Sequence, residues 1–322
     1  MDDIHVVGGP WVRDDLADIA TTTVWNNENV LGRATGQLVG SPAVAHKIKA
    51  DALVSLSPIV SPFRWARPRV CFQHDWRHKK NPHEFPVIQR AYRRLWEISA
   101  NYATLNVCIS AKAVRETQTY APRATTILVE NGRDHARHWA QGRTAPTQNI
   151  VTFGHHNNKR PDLVIDAFAL AQAALAPSAT LTVLGARGDY ARELRARAEK
   201  SEIADRMIFP GFVSETVYQH TIANASAIVM ASSDEGFGLP VAEAQHFGIP
   251  AVITADSGME EIFGNYPLVA APSAESIAEA LMNAHTNLDS PRGRGATWTW
   301  GDTARATREA IVGASKTPPR TL

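Results

Sequence analysis

The chain has 322 residues, more than one hydrophobic core usually serves, so we expect two domains. Lysine plus arginine number 33 and aspartate plus glutamate number 32, so the net charge of +1 gives no overall electrostatic case for nucleic-acid binding. Hydrophobic residues make up 44% of the chain, but no apolar run approaches the roughly 18 residues that a membrane-spanning helix needs.

Short runs of β-branched residues alternate with helical patterns along the whole chain. This alternation predicts parallel sheets with helices on both faces, so the predicted fold class is α/β. Six candidate strands precede residue 131 and six follow residue 148, which indicates two doubly wound, Rossmann-like halves. We expect the polar segment 131–149 to link them. The candidate strands are residues 4–9, 21–26, 52–57, 69–74, 105–110, 125–130, 149–154, 180–186, 206–211, 227–232, 250–254 and 267–270.

The start of the chain lacks the basic region and the long apolar stretch of a signal peptide. Cys71 and Cys108 both lie in apolar runs that we predict to be buried strands, which favours reduced core residues over a disulfide or a catalytic thiol. A cytoplasmic location is therefore expected. The twelve histidines show no zinc-site spacing with cysteine partners and no His-Glu-x-x-His helix, so we predict no metal.

Residues 64–94 hold nine basic side chains against two acidic ones, with tryptophans among and next to them. One interpretation is a patch for an anionic membrane surface or acceptor, because basic helices with tryptophan bind anionic headgroups. The other, which we favour, is a solvated helix face with the tryptophans in the core. No nucleic-acid recognition motif accompanies the patch. The residues concerned are Arg64, Arg67, Arg69, Arg77, Lys79, Lys80, Arg90, Arg93 and Arg94, with Trp65, Trp76 and Trp96.

The stretch SSDEGFGLPVAEAQHFGIPAVIT, residues 232–254, joins a candidate strand to a helix. Pro240 suits the first helical position, and Gly248 followed by Pro250 should end the helix. In open α/β sheets, ligands bind beyond the carboxyl ends of the strands, which is where such a loop lies. We therefore expect a binding site at this loop.

Two acids, Glu235 and Glu243, flank the start of this helix. The first turn of a helix offers unpaired amides and partial positive charge, and Gly236 and Gly238 let the backbone approach a ligand. Two carboxylates at this separation suit the hydroxyls of two sugars, a transferred hexose and a nucleotide ribose, whereas they would repel phosphates. Acids near a helix start also stabilise the helix dipole without any ligand, and the spacing alone leaves both interpretations open.

The segment EGFGLPVAEAQHFGIPAV closely resembles the signature of retaining glycosyltransferases of family 4, which have the GT-B fold. VTFGHHNNKRPDLVIDAF resembles the opening of the family's donor domain, and ENGRD resembles its Asn-Gly-x-Asp turn at the domain junction. CFQHD resembles the strand end that carries an active-site histidine. The resemblance is specific over about 148–312 and weaker over 51–134. It implies two Rossmann-like domains facing a cleft: an acceptor-side domain over 1–140, a donor domain over 148–300, and a terminal helix and tail over 301–322.

The resemblance also implies residue roles. Lys159 would neutralise the departing diphosphate, Glu235 would contact the donor sugar, and Glu243 would hold the ribose hydroxyls. Phe209 to Phe212 would border the nucleobase, and His74 would lie near the acceptor. The implied catalytic residues are His74, Lys159 and Glu235; the donor-binding residues are Gly154, His155, Arg160, Phe209, Gly211, Gly236, Phe237, Gly238, Leu239, Glu243 and Glu261; the acceptor-side residues are Gly8, Gly9 and Asp75.

Two departures from the family pattern stand out. His155 occupies the place where an arginine usually assists the lysine, and Arg160 or the protonated His155 and His156 are the candidate substitutes. The family's first domain is also longer. IHVVGGPWV, residues 4–12, fits either the first strand and Gly-Gly loop of a shortened domain or the second strand of a chain whose start is missing. We favour the second alternative.

The sequence therefore predicts a retaining, metal-independent glycosyltransferase with no cofactor, which takes a nucleotide-diphosphate sugar as donor. The acceptor is left open among a small molecule, a lipid-linked molecule and a polysaccharide, with peripheral membrane contact through residues 64–94 as one option. Two alternatives are a nucleotide-sugar epimerase of the same architecture and a donor-binding pseudoenzyme or partner subunit. The epimerase is not expected to carry the Glu-Gly-Phe-Gly-Leu-Pro loop. The short first domain and His155 favour the pseudoenzyme.

Overall fold

The computed structural model describes residues 3–16, 18, 20–26, 29–62, 68–140, 142–144, 147–286 and 298–315. Each of the twelve candidate strands is confirmed within this part of the chain. The strands are β1 (His5–Gly8), β2 (Thr21–Val24), β3 (Leu53–Ser55), β4 (Arg69–Gln73), β5 (Leu105–Cys108), β6 (Thr126–Leu128), β7 (Asn149–Phe153), β8 (Thr180–Leu184), β9 (Met207–Gly211), β10 (Ala227–Met230), β11 (Ala251–Thr254) and β12 (Leu268–Ala270).

Most of the α-helices lie between these strands, in keeping with the alternating pattern, and the last two follow the final strand. The helices are α1 (Trp11–Leu16), α2 (Val30–Thr35), α3 (Ser41–Lys47), α4 (Arg77–Lys80), α5 (Val87–Tyr102), α6 (Ala111–Tyr120), α7 (Pro161–Ala171), α8 (Gly188–Lys200), α9 (Glu215–Ala223), α10 (Leu239–Phe247), α11 (Glu260–Phe263), α12 (Ala274–Thr286) and α13 (Trp300–Ser315).

The chain divides into two compact units. The first comprises Met1–Glu130 together with Thr303–Leu322, and the second comprises Asn131–Asp302. The Thr303 hydroxyl donates a hydrogen bond of 2.7 Å to the Glu130 carbonyl, which ties most of α13 to the first unit. The division therefore falls at different positions from the boundaries expected from the sequence.

The prediction that residues 131–149 form a linker is wrong for the first part of this segment. His135–His138 form a 3-10 helix, and Ala136 within it is buried. The ring of Trp139 packs against Phe247 of α10 at 5.6 Å and edge-on to Tyr218 of α9 at 5.9 Å. Apolar groups within a polar-looking segment therefore anchor it to the second unit.

The first unit contains two separate parallel sheets rather than one six-stranded half. One has the order β3-β4-β5-β6 and the other pairs β1 with β2. No residue of β1 or β2 is buried, whereas every residue of β5 is. Thus β1 and β2 do not contribute a central layer to the core. A β-branched run predicts a strand but does not specify its neighbours.

The second unit contains a six-stranded parallel sheet of order β12-β11-β10-β7-β8-β9. Apolar side chains of α7, α8 and α12 form one core with those of the strands. From β7 the chain builds outward in one direction through β8 and β9, then returns and builds in the other through β10, β11 and β12. The strand order therefore reverses between β7 and β10, and ligands bind at such a switch point in open α/β sheets.

Candidate functional site

The loops after β7 and β10 meet because these two strands are adjacent and parallel. The side-chain amide of Asn158 donates a hydrogen bond of 3.2 Å to the backbone carbonyl of Asp234. The backbone amide of Ser233 donates one of 2.9 Å to the backbone carbonyl of Asn158. Asn158 and Asp234 are both buried. These bonds fix the two loops against each other at the carboxyl edge of the sheet.

Lys159 and Glu235 form an ion pair between these loops. Their side chains are 12% and 13% exposed, so both are partly shielded from water. A cation and a carboxylate thus lie together at the switch point. They are 76 positions apart in the sequence, and only the pairing of β7 with β10 brings them together.

The loop after β11 completes this edge of the site. The Glu235 amide donates a hydrogen bond of 3.0 Å to the Ser257 carbonyl. The Arg160 guanidinium lies 2.6 Å from the Asp256 carboxylate, so a second cation directly follows Lys159 in the sequence. Arg160 has φ of +46° and directly precedes α7, a conformation that few residues other than glycine adopt.

Gly238 lies between the glycine-rich loop and α10. Its φ is +97°, and a Cβ atom there would lie 2.5 Å from the Met259 sulfur, so both backbone conformation and space require glycine. Pro240 is the second residue of α10, one position later than predicted, and Gly248 follows the helix with φ of +66°, as predicted. The Val241 and Ala242 amides both donate to the Gly238 carbonyl, and Pro240 has no amide hydrogen, so the start of α10 offers the positive end of its dipole rather than a row of free amides.

Phe237 precedes Gly238 in the sequence and Leu239 follows it, and the two side chains differ in exposure. Phe237 is buried and packs edge-on to Phe263 at 5.7 Å, so its ring supports the loop and only its backbone can face a ligand. The Arg133 guanidinium lies over both of these rings. Leu239 is 37% exposed, and Gly236 is half-buried.

Glu243 is 4% exposed and bonded through both carboxylate oxygens. His135 Nε2 lies 2.9 Å from Oε1, and the Tyr218 hydroxyl donates a hydrogen bond of 2.7 Å to Oε2. Burial first, and then the charge of Glu243, raise the pKa of Tyr218 above its ordinary value. Sequence reasoning missed both partners. His135 directly follows the Asn-Gly-x-Asp turn, whereas no sequence signal marks Tyr218.

The remaining donor-side predictions lie around this edge. Gly154 directly follows β7 and is buried, and a Cβ atom there would lie 2.8 Å from Val183 and 2.9 Å from Ala186. His155 is exposed and contacts the ring of His156 at 5.0 Å. Packing of β7 against β8 thus explains the glycine without a ligand.

Phe209 and Gly211 lie in β9, and Glu261 lies in α11. Phe209 packs partly against the core, and the Arg195 guanidinium lies 5.1 Å from the centre of its ring. Gly211 has φ of +72°. Glu261 is exposed.

The acceptor-side predictions all lie in the first unit. His74 follows β4, and its Nε2 lies 2.8 Å from the Leu56 carbonyl oxygen. Asp75 accepts a hydrogen bond of 3.0 Å from the Arg77 amide. Gly8 ends β1, where a Cβ atom would lie 2.5 Å from Val12; Gly9 follows it and is buried. His74 and the two glycines therefore belong to different sheets.

The basic segment is only partly described, because Arg64, Trp65 and Arg67 lie outside the described residues. Arg90 and Arg94 are exposed on α5, as are the apolar Val87 and Ile88. Arg93 stacks on Phe85 and Trp96, and Trp76 is fully buried. The prediction of tryptophans in the core is therefore confirmed for Trp76.

Among the described helices, none combines the length and the apolarity needed to cross a bilayer. Within the same part of the chain, no group of three or more histidine, cysteine, aspartate or glutamate side chains is arranged to hold a metal ion.

Comparison with known families locates the similarity in the second unit. Residues 141–292 match the family model described as Glycosyl transferases group 1. The chain is 33% identical to the D-inositol 3-phosphate glycosyltransferase of Jonesia denitrificans over 42% of its own length and 33% of that protein's. It is 25% identical to the GDP-mannose:cellobiosyl-diphosphopolyprenol alpha-mannosyltransferase of Xanthomonas oryzae pv. oryzae over 51% of its own length and 46% of that protein's. The chain thus matches less than half the length of these curated relatives.

Comparison with solved structures extends to the whole fold. HepE of Anabaena, solved in complex with UDP, aligns over 98% of each chain with a TM-score of 0.65 and 17% identity. The glycosyltransferase WaaG aligns over 91% of this chain and 85% of its own with a TM-score of 0.63 and 18% identity. The protein has the GT-B fold, which confirms the predicted fold class.

Proposed function

We propose that the protein is a glycosyltransferase that moves a sugar from a nucleoside-diphosphate sugar to an acceptor with retention of the anomeric configuration. The Lys159–Glu235 pair at the switch point, beside the start of α10, carries this proposal. It lies within the segment that matches the glycosyltransferase family model. Because one fold hosts many activities, the arrangement of the site supports the function more strongly than the fold does.

Lys159 would bind the diphosphate, where negative charge develops as the sugar departs. A fixed cation at that point lowers the barrier because it stabilises the transition state more than the ground state. In the free protein this cation is paired with Glu235. Donor binding would transfer Lys159 to the phosphates and release Glu235 to accept hydrogen bonds from the hydroxyls of the sugar.

The backbone and two carboxylates would hold the rest of the donor. The amides of Gly236, Phe237 and Gly238 lie just before α10, where a helix start favours oxygen-rich or anionic groups. Glu243 would accept hydrogen bonds from the ribose, and Phe209 with the following residues of β9 would border the nucleobase. Gly154, His155, Leu239 and Glu261 would line the same region.

Retention follows from attack on the face from which the diphosphate leaves, with a diphosphate oxygen taking the acceptor proton. Glu235 is paired with Lys159 and is better suited to bind the sugar than to attack it. Lys159, Arg160 and the start of α10 would supply the positive charge that a metal gives elsewhere. Transfer should therefore persist in EDTA, and abolition of transfer by EDTA with recovery on adding magnesium would contradict metal independence.

The acceptor would approach residues of the first unit. His74 would donate to the acceptor sugar or relay its proton, and Gly8, Gly9 and Asp75 would border its site. Exposed Val87 and Ile88 beside Arg90 and Arg94 on α5 favour contact with an anionic bilayer, which suits a lipid-linked acceptor. Co-sedimentation with phosphatidylglycerol vesicles but not phosphatidylcholine vesicles is expected, and equal sedimentation would exclude an electrostatic contact.

A donor screen tests the proposal. Calorimetry with UDP, GDP, ADP and dTDP should reveal one preferred nucleotide, and Lys159→Ala should lose it. UDP and GDP come first, because HepE was solved with UDP and the Xanthomonas relative is named for GDP-mannose. The exposed Lys200 provides the control substitution. NMR of the product should then show the donor's anomeric configuration.

The alternatives predict other results in the same assay. Conversion of the donor sugar without an acceptor would indicate an epimerase. Donor binding without transfer to any acceptor class would indicate a pseudoenzyme. Absence of binding by all four nucleotides would overturn the proposal.

A further inference from the structure

The buried carboxylate of Glu243 has a hydrogen-bond partner on each oxygen in the free protein. His135 contacts Oε1 and Tyr218 contacts Oε2. An ionised carboxylate only accepts hydrogen bonds, so both partners donate. Each oxygen keeps a further lone pair, but the carboxylate side chain is only 5% exposed, so a ribose hydroxyl reaches it only where one partner moves aside, and the two protein donors are not equally able to do so.

Tyr218 is the fixed donor. It extends from α9, and its ring packs edge-on to Trp139 at 5.9 Å. Burial and the neighbouring carboxylate keep the pKa of this phenol above its ordinary value, so the hydroxyl retains its proton. Its bond to Oε2 consequently holds the carboxylate in one orientation.

His135 is the exchangeable donor. Its side chain is 24% exposed, compared with 5% for Glu243, and it belongs to a single-turn 3-10 helix. Its Nδ1 atom is buried and has no hydrogen-bond partner among the described residues. The bond to Oε1 is therefore the only described hydrogen bond that keeps the ring in place, and breaking it requires no other such bond to break.

Resting on the proposed function, we infer that His135 occupies Oε1 in place of a ribose hydroxyl and yields this oxygen when the nucleotide binds, whereas Tyr218 holds Glu243 in both states. The His135 bond keeps the buried carboxylate satisfied while the site is empty, since an unsatisfied buried acceptor is costly. Only a ligand that brings its own hydroxyl restores the lost bond. The site thus selects ribonucleotides over their deoxy counterparts.

Calorimetry with matched nucleotides tests this exchange. The probes are the nucleotide preferred among UDP, GDP and ADP, its 2′-deoxy analogue and its 3′-deoxy analogue. Wild-type protein should bind the ribonucleotide about tenfold more tightly than at least one analogue, as one hydrogen bond to a charged group requires.

The two partners should then respond in opposite directions. In Tyr218→Phe, ribonucleotide affinity should fall about tenfold and discrimination against the analogue should shrink. In His135→Ala, the affinities for the ribonucleotide and for the analogues should all rise several-fold, because no bond to His135 has to break on entry, and the discrimination should stay at the wild-type ratio. His135→Gln keeps a donor and should resemble the wild type, which preserves the test if the alanine variant does not fold.

Matched controls come from the same unit. His138 is an exposed histidine in the same 3-10 helix, and Tyr190 is a partly buried tyrosine on α8, so His138→Ala and Tyr190→Phe should leave every affinity unchanged. Weaker ribonucleotide binding in His135→Ala, or equal losses for ribonucleotide and analogues, would overturn the exchange. Wild-type binding without discrimination would overturn it while leaving the proposed function intact. Absence of nucleotide binding would overturn both.

Discussion

Two glutamates of the second unit lie eight positions apart in contrasting surroundings. Glu235, in the loop before α10, pairs with a cation and retains 13% side-chain exposure. Glu243, inside α10, has 5% side-chain exposure and accepts hydrogen bonds from a tyrosine and a histidine. A charged partner such as Lys159 can be taken over by phosphates, whereas the buried hydrogen bond from Tyr218 holds Glu243 in one orientation. This contrast suits Glu235 to the sugar, which leaves the donor during transfer, and Glu243 to the ribose, which stays on the nucleotide.

The largest expected effect is at Glu235, the more exposed of the two acids. Glu235→Gln should lower kcat about a hundredfold and change the dissociation constant of the nucleoside diphosphate less than about threefold, because its contacts to the sugar strengthen only in the transition state. Steady-state kinetics and calorimetry separate the two quantities. Glu199→Gln, an exposed substitution on α8, is the control. A loss confined to nucleotide affinity would contradict the assignment.

The next effect concerns Gly238, which separates the two acids. Gly238→Ala should lower the free energy of unfolding by about 2–3 kcal/mol, because it combines left-handed strain with overlap on Met259. Gly248→Ala shares the positive φ but has open space around it, so it should cost only about 1–2 kcal/mol. Chemical denaturation measures both. Equal costs would show that Met259 does not restrict the loop.

A smaller effect is expected at the buried acid. Glu243→Ala should weaken nucleotide binding about tenfold while kcat at saturating donor falls less, because ribose contacts are equal in the ground and transition states. Calorimetry and steady-state kinetics report the two values. Equal nucleotide affinity in the variant and the wild type would count against the ribose assignment.

The smallest effect contrasts Glu243 with His78, a buried group of the first unit whose ring nitrogens have no hydrogen-bond partner in the described part of the chain. Burial, and then the charge of Arg93, lower the pKa of His78 to about 4 from an ordinary 6.5. The unfolded chain then binds this proton at a higher pH than the folded chain, so stability falls as pH drops from about 6.5 towards 4. Solvent screening limits the loss to the order of 1 kcal/mol.

Denaturation at pH 7 and pH 5 checks this pH dependence. His78→Phe keeps a ring beside Trp76 and Trp96 but cannot titrate, so it should lose less stability than the wild type over this interval. His83, an exposed neighbour, is the control position. Equal losses in His78→Phe and the wild type would exclude His78 as the source.

Local features of the site were predictable because they depend on near neighbours in the sequence. The strand before Ser232, the loop glycines, Pro240 in the first turn of α10 and Gly248 at its end all follow from backbone preferences. The two acids were identified by their spacing and by the resemblance it carries. Their protein partners were not predictable in this way, since Tyr218 and His135 lie 25 and 108 positions from Glu243.

Local sequence patterns were enough to predict where the strands and helices lie, because periodicity, glycine and proline act within a few residues. Which strands are neighbours became clear only from the fold. That order split β1 and β2 from the rest of the first unit and placed β7 beside β10, so that Lys159 meets Glu235. Strand pairing depends on how apolar faces of distant segments pack together. The residues of a short apolar run do not specify which strand it will pair with.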